Sequence, residues 1–289
     1  MRWKYVIGGA LLSLLLPINA AWSQESLQAL LDQAEPGATV TLPEGEFAGP
    51  LVINKPLQIE GNGKTILKAD AQGPVVTVNG NGTKLSGIHI VQQNKSEKAS
   101  AIQLKGSHHL LQNIEIDTNG SGILLRDESD NKLRELVIRG SRTEAKSSGK
   151  GKAKTQPKGN GIDLWQSHRN EISLNHIQNV QDGVYMEKSN ENQLTGNDIT
   201  GSRYGLHVMY AKNSLLANNN IHHNTTGAMV MEAENTVIDH NTFVDQQTHV
   251  FSQGLLLFDT TKSRIVNNRF ERNRVGAYLE RSGDNEWKA

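Results

Sequence analysis

The sequence predicts a right-handed parallel β-helix, an all-β solenoid in which short coils of similar shape stack along one axis. The first observation is a fixed period: Gly161, Gly183, Gly205 and Gly227 are each 22 residues apart, and Gly254 and Gly276 repeat that spacing. A period of about 20 to 50 residues is typical of one supersecondary unit stacked on copies of itself. The repeat extends upstream to Gly122, which lies one period plus a 17-residue insertion before Gly161.

The second observation is the apolar pattern inside each repeat. Apolar residues occur one, three, eleven and sixteen positions after each glycine, as at Leu206, Val208, Leu216 and Ile221. Alternation with period two indicates strands with one buried face. A helical solenoid would show apolar spacings of three and four, and a sandwich would show hairpin turn pairs. Each coil is therefore predicted to hold two or three short strands.

The third observation is a column of asparagines. Each lies fourteen residues after its glycine: Asn175, Asn197, Asn219, Asn241 and Asn268. Asparagines in one register over successive coils are predicted to hydrogen-bond above and below as a ladder, at a tight turn that asparagine tolerates.

The elements follow in chain order. Residues 1–23 combine basic Arg2 and Lys4, an apolar run at 6–16 and small residues before Gln24, which predicts a cleaved secretory signal peptide and no membrane span. Residues 24–289 are predicted to form a single β-helix domain. Helical apolar spacing at 26–34, with Ser26 as N-cap, predicts a short helix that covers the open edge of the first coil.

A lysine-rich insertion at residues 142–158 is predicted to be a flexible loop at a solenoid turn. It carries glycine, serine and Lys146, Lys150, Lys152, Lys154 and Lys158. Two interpretations remain: a solvated loop, or an electrostatic contact with a partner or a membrane surface. At the other end, no segment after Gly276 is predicted to cover the last coil, so that edge is either a partner site or the sign of a shortened protein.

Composition excludes several kinds of site. The chain has no cysteine, which excludes disulfides and thiolate metal ligands. It holds 30 basic and 30 acidic residues, and loss of Arg2 and Lys4 with the signal leaves 28 against 30, a net charge of −2. Nothing in this balance suggests a nucleic-acid partner.

The most unusual residues lie two and four positions after the glycines, where side chains are predicted to face outward. In the middle of the chain these positions hold aromatic, thioether and imidazole groups, not the expected small polar residues. Exposed stripes of this kind usually mark a binding surface. The predicted docking surface consists of Trp165, Tyr185, Tyr210 and Phe258.

Four of these outward positions are candidate metal ligands. Neighbouring coils lie ~4.8 Å apart and alternate residues of a strand ~6.5 Å apart, so His207 is predicted beside Met229, and Met209 beside Met231. Thioether and imidazole ligands favour Cu(I). The alternative is that the same stripe is a hydrophobic docking face without metal.

A polysaccharide-cleaving enzyme is a rival interpretation, because many parallel β-helices are pectin lyases or hydrolases. That chemistry needs clustered carboxylates on one face, for acid–base hydrolysis or for Ca²⁺ binding. Acids in equivalent positions are sparse, since Asp163 is followed by Tyr185 and Glu187 by Met209. The sequence therefore favours a non-enzymatic protein, with a carbohydrate-binding or purely structural scaffold as the remaining alternatives.

The same residues resemble the NosD family, periplasmic β-helix proteins that help nitrous oxide reductase to mature in denitrification. The resemblance covers about residues 24–281 and is most specific in RYGLHVMY at 203–210. It continues in PGATV at 36–40, GIDLW at 161–165, DGVY at 182–185, GAMVM at 227–231 and NRVGAYL at 273–279.

The resemblance implies a periplasmic protein that binds an ABC transporter formed by an ATPase and a permease. With a copper chaperone, that complex supplies copper to nitrous oxide reductase. His207, Met209 and Met231 match the family's His/Met pattern, whereas Met229 is included on geometry. The lysine-rich insertion departs from the pattern of the family, as does the early end of the chain, which puts docking to the transporter in doubt.

Overall fold

The computed structural model describes residues 24–141 and 159–288, which form one helix and 29 strands. The predicted signal peptide at 1–23 and the predicted loop at 142–158 lie outside the described residues. Every strand pairing is parallel, and the strands wind into a β-solenoid with a continuous apolar core. The predicted fold class is confirmed.

The bounds of the elements are as follows. The first coils contain α1 (Gln24–Gln33), β1 (Thr39–Thr41), β2 (Gly45–Ala48), β3 (Leu51–Ile53), β4 (Gln58–Ala69), β5 (Pro74–Asn79), β6 (Lys84–Gln92), β7 (Ser100–Lys105), β8 (Leu110–Gln112) and β9 (Glu115–Thr118). The middle coils contain β10 (Ser121–Arg126), β11 (Lys132–Arg134), β12 (Val137–Gly140), β13 (Ile162–Trp165), β14 (Glu171–Ser173), β15 (His176–Gln178), β16 (Asp182–Glu187), β17 (Gln193–Thr195), β18 (Asp198–Thr200), β19 (Tyr204–Met209) and β20 (Leu215–Ala217). The last coils contain β21 (Asn220–His222), β22 (Thr226–Met231), β23 (Val237–Asp239), β24 (Thr242–Val244), β25 (Gln253–Phe258), β26 (Arg264–Val266), β27 (Arg269–Glu271), β28 (Val275–Glu280) and β29 (Glu286–Lys288).

Each regular coil contributes three strands to three columns. One column is a ten-stranded sheet, here called the site sheet, in the order β3-β5-β7-β10-β13-β16-β19-β22-β25-β28. The other 19 strands form one bent sheet with two flanks, because the long strands β4 and β6 take part in both. The first flank runs from β1 to β29 through β14 and β20, and the second runs from β2 to β27 through β18 and β21.

The register confirms the 22-residue period. Ile162 pairs with Val184, Val184 with Leu206, and Leu206 with Ala228, so residues one period apart lie on adjacent coils. Ile123 pairs with Ile162 across the longer step of 39 residues. The coils on either side of the insertion therefore stack directly on each other, as the sequence predicts.

The repeating glycines are explained by close approach between coils. A Cβ at Gly183 would lie 2.5 Å from the carbonyl oxygen of Gly205 and 2.4 Å from Cγ2 of Ile199. A Cβ at Gly205 would meet Gly227 and Ile221 in the same way. Any side chain at these positions would push neighbouring coils apart, and the same requirement recurs in each coil from Gly122 to Gly254.

The predicted asparagine ladder is present. Each Nδ2 donates to Oδ1 of the asparagine on the next coil, at 2.9 Å from Asn175 to Asn197, 2.9 Å from Asn197 to Asn219, 2.9 Å from Asn219 to Asn241 and 3.0 Å from Asn241 to Asn268. The left-handed residue of this turn is the one before each asparagine: Leu174, Gly196, Asn218, His240 and Asn267. The ladder asparagines are thus selected for their amide groups.

The predicted capping helix is also present, but it begins at Gln24 and ends at Gln33, so Ser26 lies inside its first turn and is not the N-cap. Leu27 and Leu31 are buried on the first coil. Gln28 makes the two hydrogen bonds that a neighbouring strand would make to Val52. Its amide donates to the carbonyl oxygen of Val52 at 2.8 Å and accepts from the Val52 N–H at 2.9 Å. This pairing satisfies the edge strand β3, which would otherwise be open to solvent or to another strand.

Within the described part of the chain, no helix has the length and apolar character that crossing a membrane requires.

Candidate metal site

The four predicted metal ligands are neighbours on the site sheet. His207 pairs with Met229 and Met209 with Met231, on adjacent strands β19 and β22. Because alternate residues of a strand face the same side, all four side chains belong to one outward surface. The arrangement predicted from the repeat spacing is therefore present at the level of strand register.

The four predicted docking residues surround this group. Tyr185 pairs with His207 on the preceding coil, and Phe258 pairs with Met231 on the following coil. Trp165 pairs with Glu187, which in turn pairs with Met209. Tyr210 directly follows Met209 and is 41% exposed. Whether these residues contact a partner stays a prediction.

The surface is less exposed than the sequence predicts. His207 is only 7% exposed and Asp163 only 8%, while the three methionines are half-buried. The rings of Tyr185 and Tyr204 approach His207 edge-on, with centroids 5.0 Å and 4.7 Å away. The expectation of an open stripe is therefore wrong at His207, because aromatic neighbours cover the imidazole on its outward side.

A buried carboxylate orients His207. Nδ1 of His207 lies 2.8 Å from Oδ2 of Asp182, which is 1% exposed. Arg203 donates to the same carboxylate through Nε at 2.9 Å and Nη2 at 2.6 Å. Burial opposes ionisation of Asp182, but the hydrogen bonds from His207 and Arg203 prevail and hold its pKa below the usual range. An ionised Asp182 only accepts, so Nδ1 of His207 carries the proton.

The other ring nitrogen is the exceptional atom of the site. Nε2 of His207 is buried and has no hydrogen-bond partner among the residues that the structure describes. With the proton on Nδ1, the neutral imidazole presents a free lone pair at Nε2. A histidine that ligates a metal usually donates its other N–H to a carboxylate in this way. A buried nitrogen with a free lone pair is available to ligate a metal ion.

The thioether of Met209 shares a neighbour with His207. The Tyr185 hydroxyl donates to Oε2 of Glu187 at 2.5 Å and lies 3.9 Å from the sulfur of Met209. Burial and the hydrogen bond to Glu187 raise the pKa of Tyr185 above its usual range, so the hydroxyl stays neutral. Tyr185 thus contacts the His207 imidazole with its ring and the Met209 sulfur with its hydroxyl. The two candidate ligands therefore share one neighbouring side chain.

The candidate donor set is one imidazole and three thioethers. In residues 24–141 and 159–288, no group of three or more histidine, aspartate or glutamate side chains is placed to hold a metal ion. Imidazole and thioether together suit a soft ion such as Cu(I), whereas Ca²⁺ and Mg²⁺ take oxygen ligands.

Sequence reasoning missed a polar cavity that borders His207. It has a volume of about 470 Å³, and its lining includes Asp163, Asp182, Tyr185, Arg203 and His207. The strand register agrees with the sequence argument that acids do not follow one another in a row. Asp163 and Asp182 meet here nonetheless, because they come from different rows of adjacent coils. The sequence signal for this pair was their position: Asp182 directly precedes Gly183, and Asp163 lies two residues after Gly161.

The cavity is electrostatically balanced by arginines. Nη1 of Arg126 lies 2.8 Å from Oδ1 of Asp163, and Arg203 forms the two-pronged pair with Asp182. Arginine suits carboxylates because its planar group donates in parallel. Both acids are therefore paired with arginines, and among the described residues that line the cavity Nε2 of His207 is a buried polar atom without a partner.

Comparison with known proteins gives one family and a common fold. The family model described as "Periplasmic copper-binding protein (NosD)" matches residues 143–289, which is 147 of the 289 residues. This match contains every predicted metal ligand and docking residue. No curated protein sequence matches the chain at a significant level.

Solved structures share the solenoid at low identity. The mannuronan C-5 epimerase AlgE4 A-module of Azotobacter vinelandii is 17% identical, with 92% of this chain and 91% of that chain covered and a TM-score of 0.57. The alginate lyase of Paenibacillus sp. str. FPU-7 is 17% identical, with 91% and 97% covered and a TM-score of 0.55. The enzymatically active domain of tailspike protein 2 of Bacteriophage CBA120 is 10% identical, with 91% and 43% covered and a TM-score of 0.65. At these identities the likeness concerns the fold alone.

Proposed function

Because this chain belongs to the NosD family, which is described as periplasmic and copper-binding, we propose that it holds Cu(I) transiently at His207, Met209, Met231 and Met229 and passes it on. One observation carries the proposal: Nε2 of His207 is buried without a partner while Asp182 orients the ring from the other side. The strand pairing of His207 with Met229 and of Met209 with Met231 supports the inclusion of the three thioethers.

The donor set fits a cargo better than a resident cofactor. Thioethers are neutral, soft and attached to flexible side chains, so they bind Cu(I) without the charge of thiolates. The three methionines are half-buried, which leaves a route to the ion from the surface. In this proposal Asp182 sets the tautomer of His207, Tyr185 and Tyr204 shield the imidazole from water, and the methionines complete the coordination.

The proposed setting is the periplasm, with residues 1–23 acting as the cleaved export signal. The proposed partners are an ABC transporter permease and ATPase, a copper chaperone and nitrous oxide reductase. Trp165, Tyr185, Tyr210 and Phe258 form the proposed docking surface around the copper ligands. The protein acts here as an accessory protein for reductase maturation in denitrification, without catalysis of its own.

The test is an anaerobic Cu(I) competition titration of residues 24–289. The wild type is compared with His207→Ala/Met209→Ala/Met231→Ala and with Met186→Leu, a matched control because Met186 is buried on the inward side of β16. We expect one Cu(I) per wild-type and control chain and none in the triple variant. Equal binding by all three proteins, or none by the wild type, would overturn the proposed site.

A docking scaffold without copper is the main alternative within the family. It predicts that the triple variant loses complex formation with the transporter while the wild type binds no Cu(I). The same three proteins, assayed for pull-down of the permease and ATPase, separate the two functions.

The polar cavity favours one second candidate, a polysaccharide-active protein. It places an imidazole with a free lone pair beside a tyrosine, two acids and an arginine, in a solenoid shared with an epimerase and a lyase. Incubation with alginate or pectate, followed by absorbance of unsaturated products and NMR of the uronate residues, tests it. Turnover that disappears in His207→Ala would favour this candidate over copper handling.

A further inference from the structure

A pair of adjacent histidines lies on the second flank, on a different sheet from the candidate copper site. His222 ends β21 and His223 follows it in the turn. Their Nδ1 atoms are 2.9 Å apart, and their ring planes cross at 85°. The proposed function uses neither residue, and the sequence alone offered no reason to regard them as more than turn residues.

The two outer nitrogens of the pair face carboxylates. Nε2 of His222 lies 3.0 Å from Oδ1 of Asp198, and Nε2 of His223 lies 3.9 Å from Oδ2 of Asp245. A carboxylate behind the distal nitrogen is the usual support of a metal-ligating histidine, because it fixes the tautomer and raises the basicity of the other nitrogen. His222 has this support from Asp198 at hydrogen-bond distance, whereas Asp245 lies near His223 without a hydrogen bond, and the two Nδ1 atoms face each other.

Both carboxylates are themselves held in place. Asp198 also lies 2.7 Å from Nδ1 of His176 and accepts from the Asn220 amide at 2.7 Å. Arg272 donates to both oxygens of Asp245, at 2.7 Å and 2.9 Å. These bonds hold the two acids ionised and in fixed positions behind the imidazoles.

The separation of the two nitrogens fits a metal ion in a particular geometry. Two ligands at about 2.05 Å from a metal, at right angles to each other, are about 2.9 Å apart, whereas a tetrahedral pair is about 3.3 Å apart. Right-angled nitrogen ligands are typical of tetragonal Cu(II) and Ni(II). We propose that His222 and His223 form a two-nitrogen site for a tetragonal divalent transition-metal ion, Cu(II) or Ni(II), with water in the remaining positions.

The site is open to solvent, because the His223 side chain is 63% exposed and that of His222 is 26% exposed. The described residues contain no third histidine or acid placed to complete a protein cage. The ion is therefore held by a chelating pair that exchanges readily, unlike the shielded imidazole of His207.

Metal binding requires one proton to move. Without metal, His222 carries its proton on Nε2 toward Asp198, and Nδ1–H of His223 donates to Nδ1 of His222. The ion replaces this hydrogen bond and takes the lone pairs of both Nδ1 atoms. The displaced proton leaves Nδ1 of His223, and Nε2 of the same ring takes up a proton from water and directs it toward Asp245. The His223 ring therefore gives up one proton at Nδ1 and gains one at Nε2, so its number of protons is unchanged.

The experiment titrates residues 24–289 with NiSO₄ by calorimetry and records the Cu(II) electron paramagnetic resonance spectrum. The variants are His222→Ala, His223→Ala and the control His240→Ala, which removes another surface histidine that lies beside a carboxylate, 2.6 Å from Asp239. We expect one Ni(II) per wild-type chain and a Cu(II) spectrum with two imidazole nitrogens. Each single variant of the pair should weaken Ni(II) binding at least tenfold and leave one nitrogen in the spectrum, with no change in the control.

The same titration in the His207→Ala/Met209→Ala/Met231→Ala background separates this site from the proposed copper site. Ni(II) binding that persists there supports an independent site even if the Cu(I) proposal fails. Equal Ni(II) affinity of the wild type and the His222→Ala/His223→Ala variant would overturn the inference, as would a wild-type spectrum with one coordinated imidazole. Loss of binding in His176→Ala with retention in His223→Ala would also overturn it, because the chelating pair would then be a different one.

Discussion

The asparagine ladder and the row that contains His207 are built on the same 22-residue step, yet they use it in opposite ways. In the ladder, each coil repeats the same amide, and each amide finds the same partner on the next coil. In the His207 row, adjacent coils carry Asp163, Tyr185, His207 and Met229, all of different chemistry. The ladder satisfies its polar atoms through repetition, whereas the row leaves Nε2 of His207 without a partner.

The difference separates stability from function within each coil. Buried amides that pair with identical neighbours stabilise the stacking of adjacent coils. The residues on the outward face of the site sheet can therefore differ from coil to coil. The polar groups of the site sheet are held instead by individual charge pairs, such as Asp182 with Arg203. Substitutions in the ladder should therefore affect folding, and substitutions in the row should affect binding.

The largest effect is expected from breaking the ladder. Asn219→Ala removes the acceptor of the Asn197 backbone N–H and side-chain amide, and the donor to the Leu194 carbonyl. All of these groups are buried, and each orphaned group costs about 1–3 kcal/mol, so the free energy of unfolding should fall by about 3–5 kcal/mol. Urea denaturation followed by circular dichroism measures it.

Asn220→Ala is the matched control for the ladder, because Asn220 is exposed and its amide bonds to the side chain of Asp198, not to another ladder asparagine. Its effect should stay below about 1 kcal/mol. A similar loss of stability in both variants would contradict the role assigned to the ladder.

The next effect is expected from the carboxylate behind His207. Asp182→Asn leaves Arg203 and His207 without their anion, which should lower the free energy of unfolding by about 1–3 kcal/mol, since solvent screens the half-exposed arginine. Loss of such an orienting carboxylate typically costs about 10–100-fold in metal affinity. Cu(I) competition and urea denaturation measure the two quantities separately.

Asp198→Asn serves as the control for this substitution, because Asp198 supports histidines on the second flank. Its Cu(I) affinity should equal that of the wild type. If Asp182→Asn lost stability but kept its Cu(I) affinity, Asp182 would have a structural role only.

Single thioether substitutions test each candidate methionine ligand separately. Met209→Leu and Met231→Leu preserve volume, so each should cost less than about 1.5 kcal/mol in stability. Each should weaken Cu(I) binding about tenfold, which corresponds to about 1.4 kcal/mol. Met229→Leu tests the candidate ligand that rests on geometry more than on the family pattern, and an unchanged Cu(I) affinity would remove Met229 from the site.

The smallest effect on stability is expected from a row of charged residues that lies outside both the asparagine ladder and the His207 row. Glu234 lies between Lys212 at 2.9 Å and Lys262 at 2.7 Å, and their hydrogen bonds lower the pKa of Glu234 from 4.5 to about 2. Because the folded-state pKa is lowered, this contribution to stability is present above the ordinary glutamate pKa and is lost as the pH falls through about 2.

Carbon-13 NMR of the Glu234 carboxyl should show this low midpoint, and Lys212→Ala/Lys262→Ala should return it toward 4.5. Added salt should raise the midpoint in the wild type, because partly exposed ion pairs are screened. A midpoint near 4.5 in the wild type would contradict the pairing.

Much of the fold was predictable because its causes recur. The clash between a Cβ at Gly205 and the Gly227 carbonyl recurs in the coils from Gly122 to Gly254, and one amide contact recurs along the asparagine ladder. Because each of these contacts recurs, the residues that make it recur in the sequence at a fixed spacing. The start of α1 was less predictable, since Ser26 satisfied the rule for an N-cap but the helix already includes Gln24.

The candidate site was predictable in part. The pairs His207–Met229 and Met209–Met231 follow from the period alone, and the register confirms them. Asp182 and Arg203 were not identified, because a carboxylate next to a repeat glycine looks like an ordinary turn residue in the sequence. Only their three-dimensional positions show that Asp182 bonds to the His207 imidazole and that Arg203 bonds to Asp182.

The solenoid, its period, the ladder and the outward row of imidazole and thioether groups follow from the sequence, because each depends on residues that recur at one spacing. The packed structure adds that His207 is buried, that Asp182 holds its Nδ1, that Nε2 has no partner among the described residues, and that the Nδ1 atoms of His222 and His223 face each other. These features depend on side-chain directions and on contacts between non-equivalent positions of adjacent coils. A repeat pattern predicts which residues are stacked, but only the structure shows which atoms are in contact.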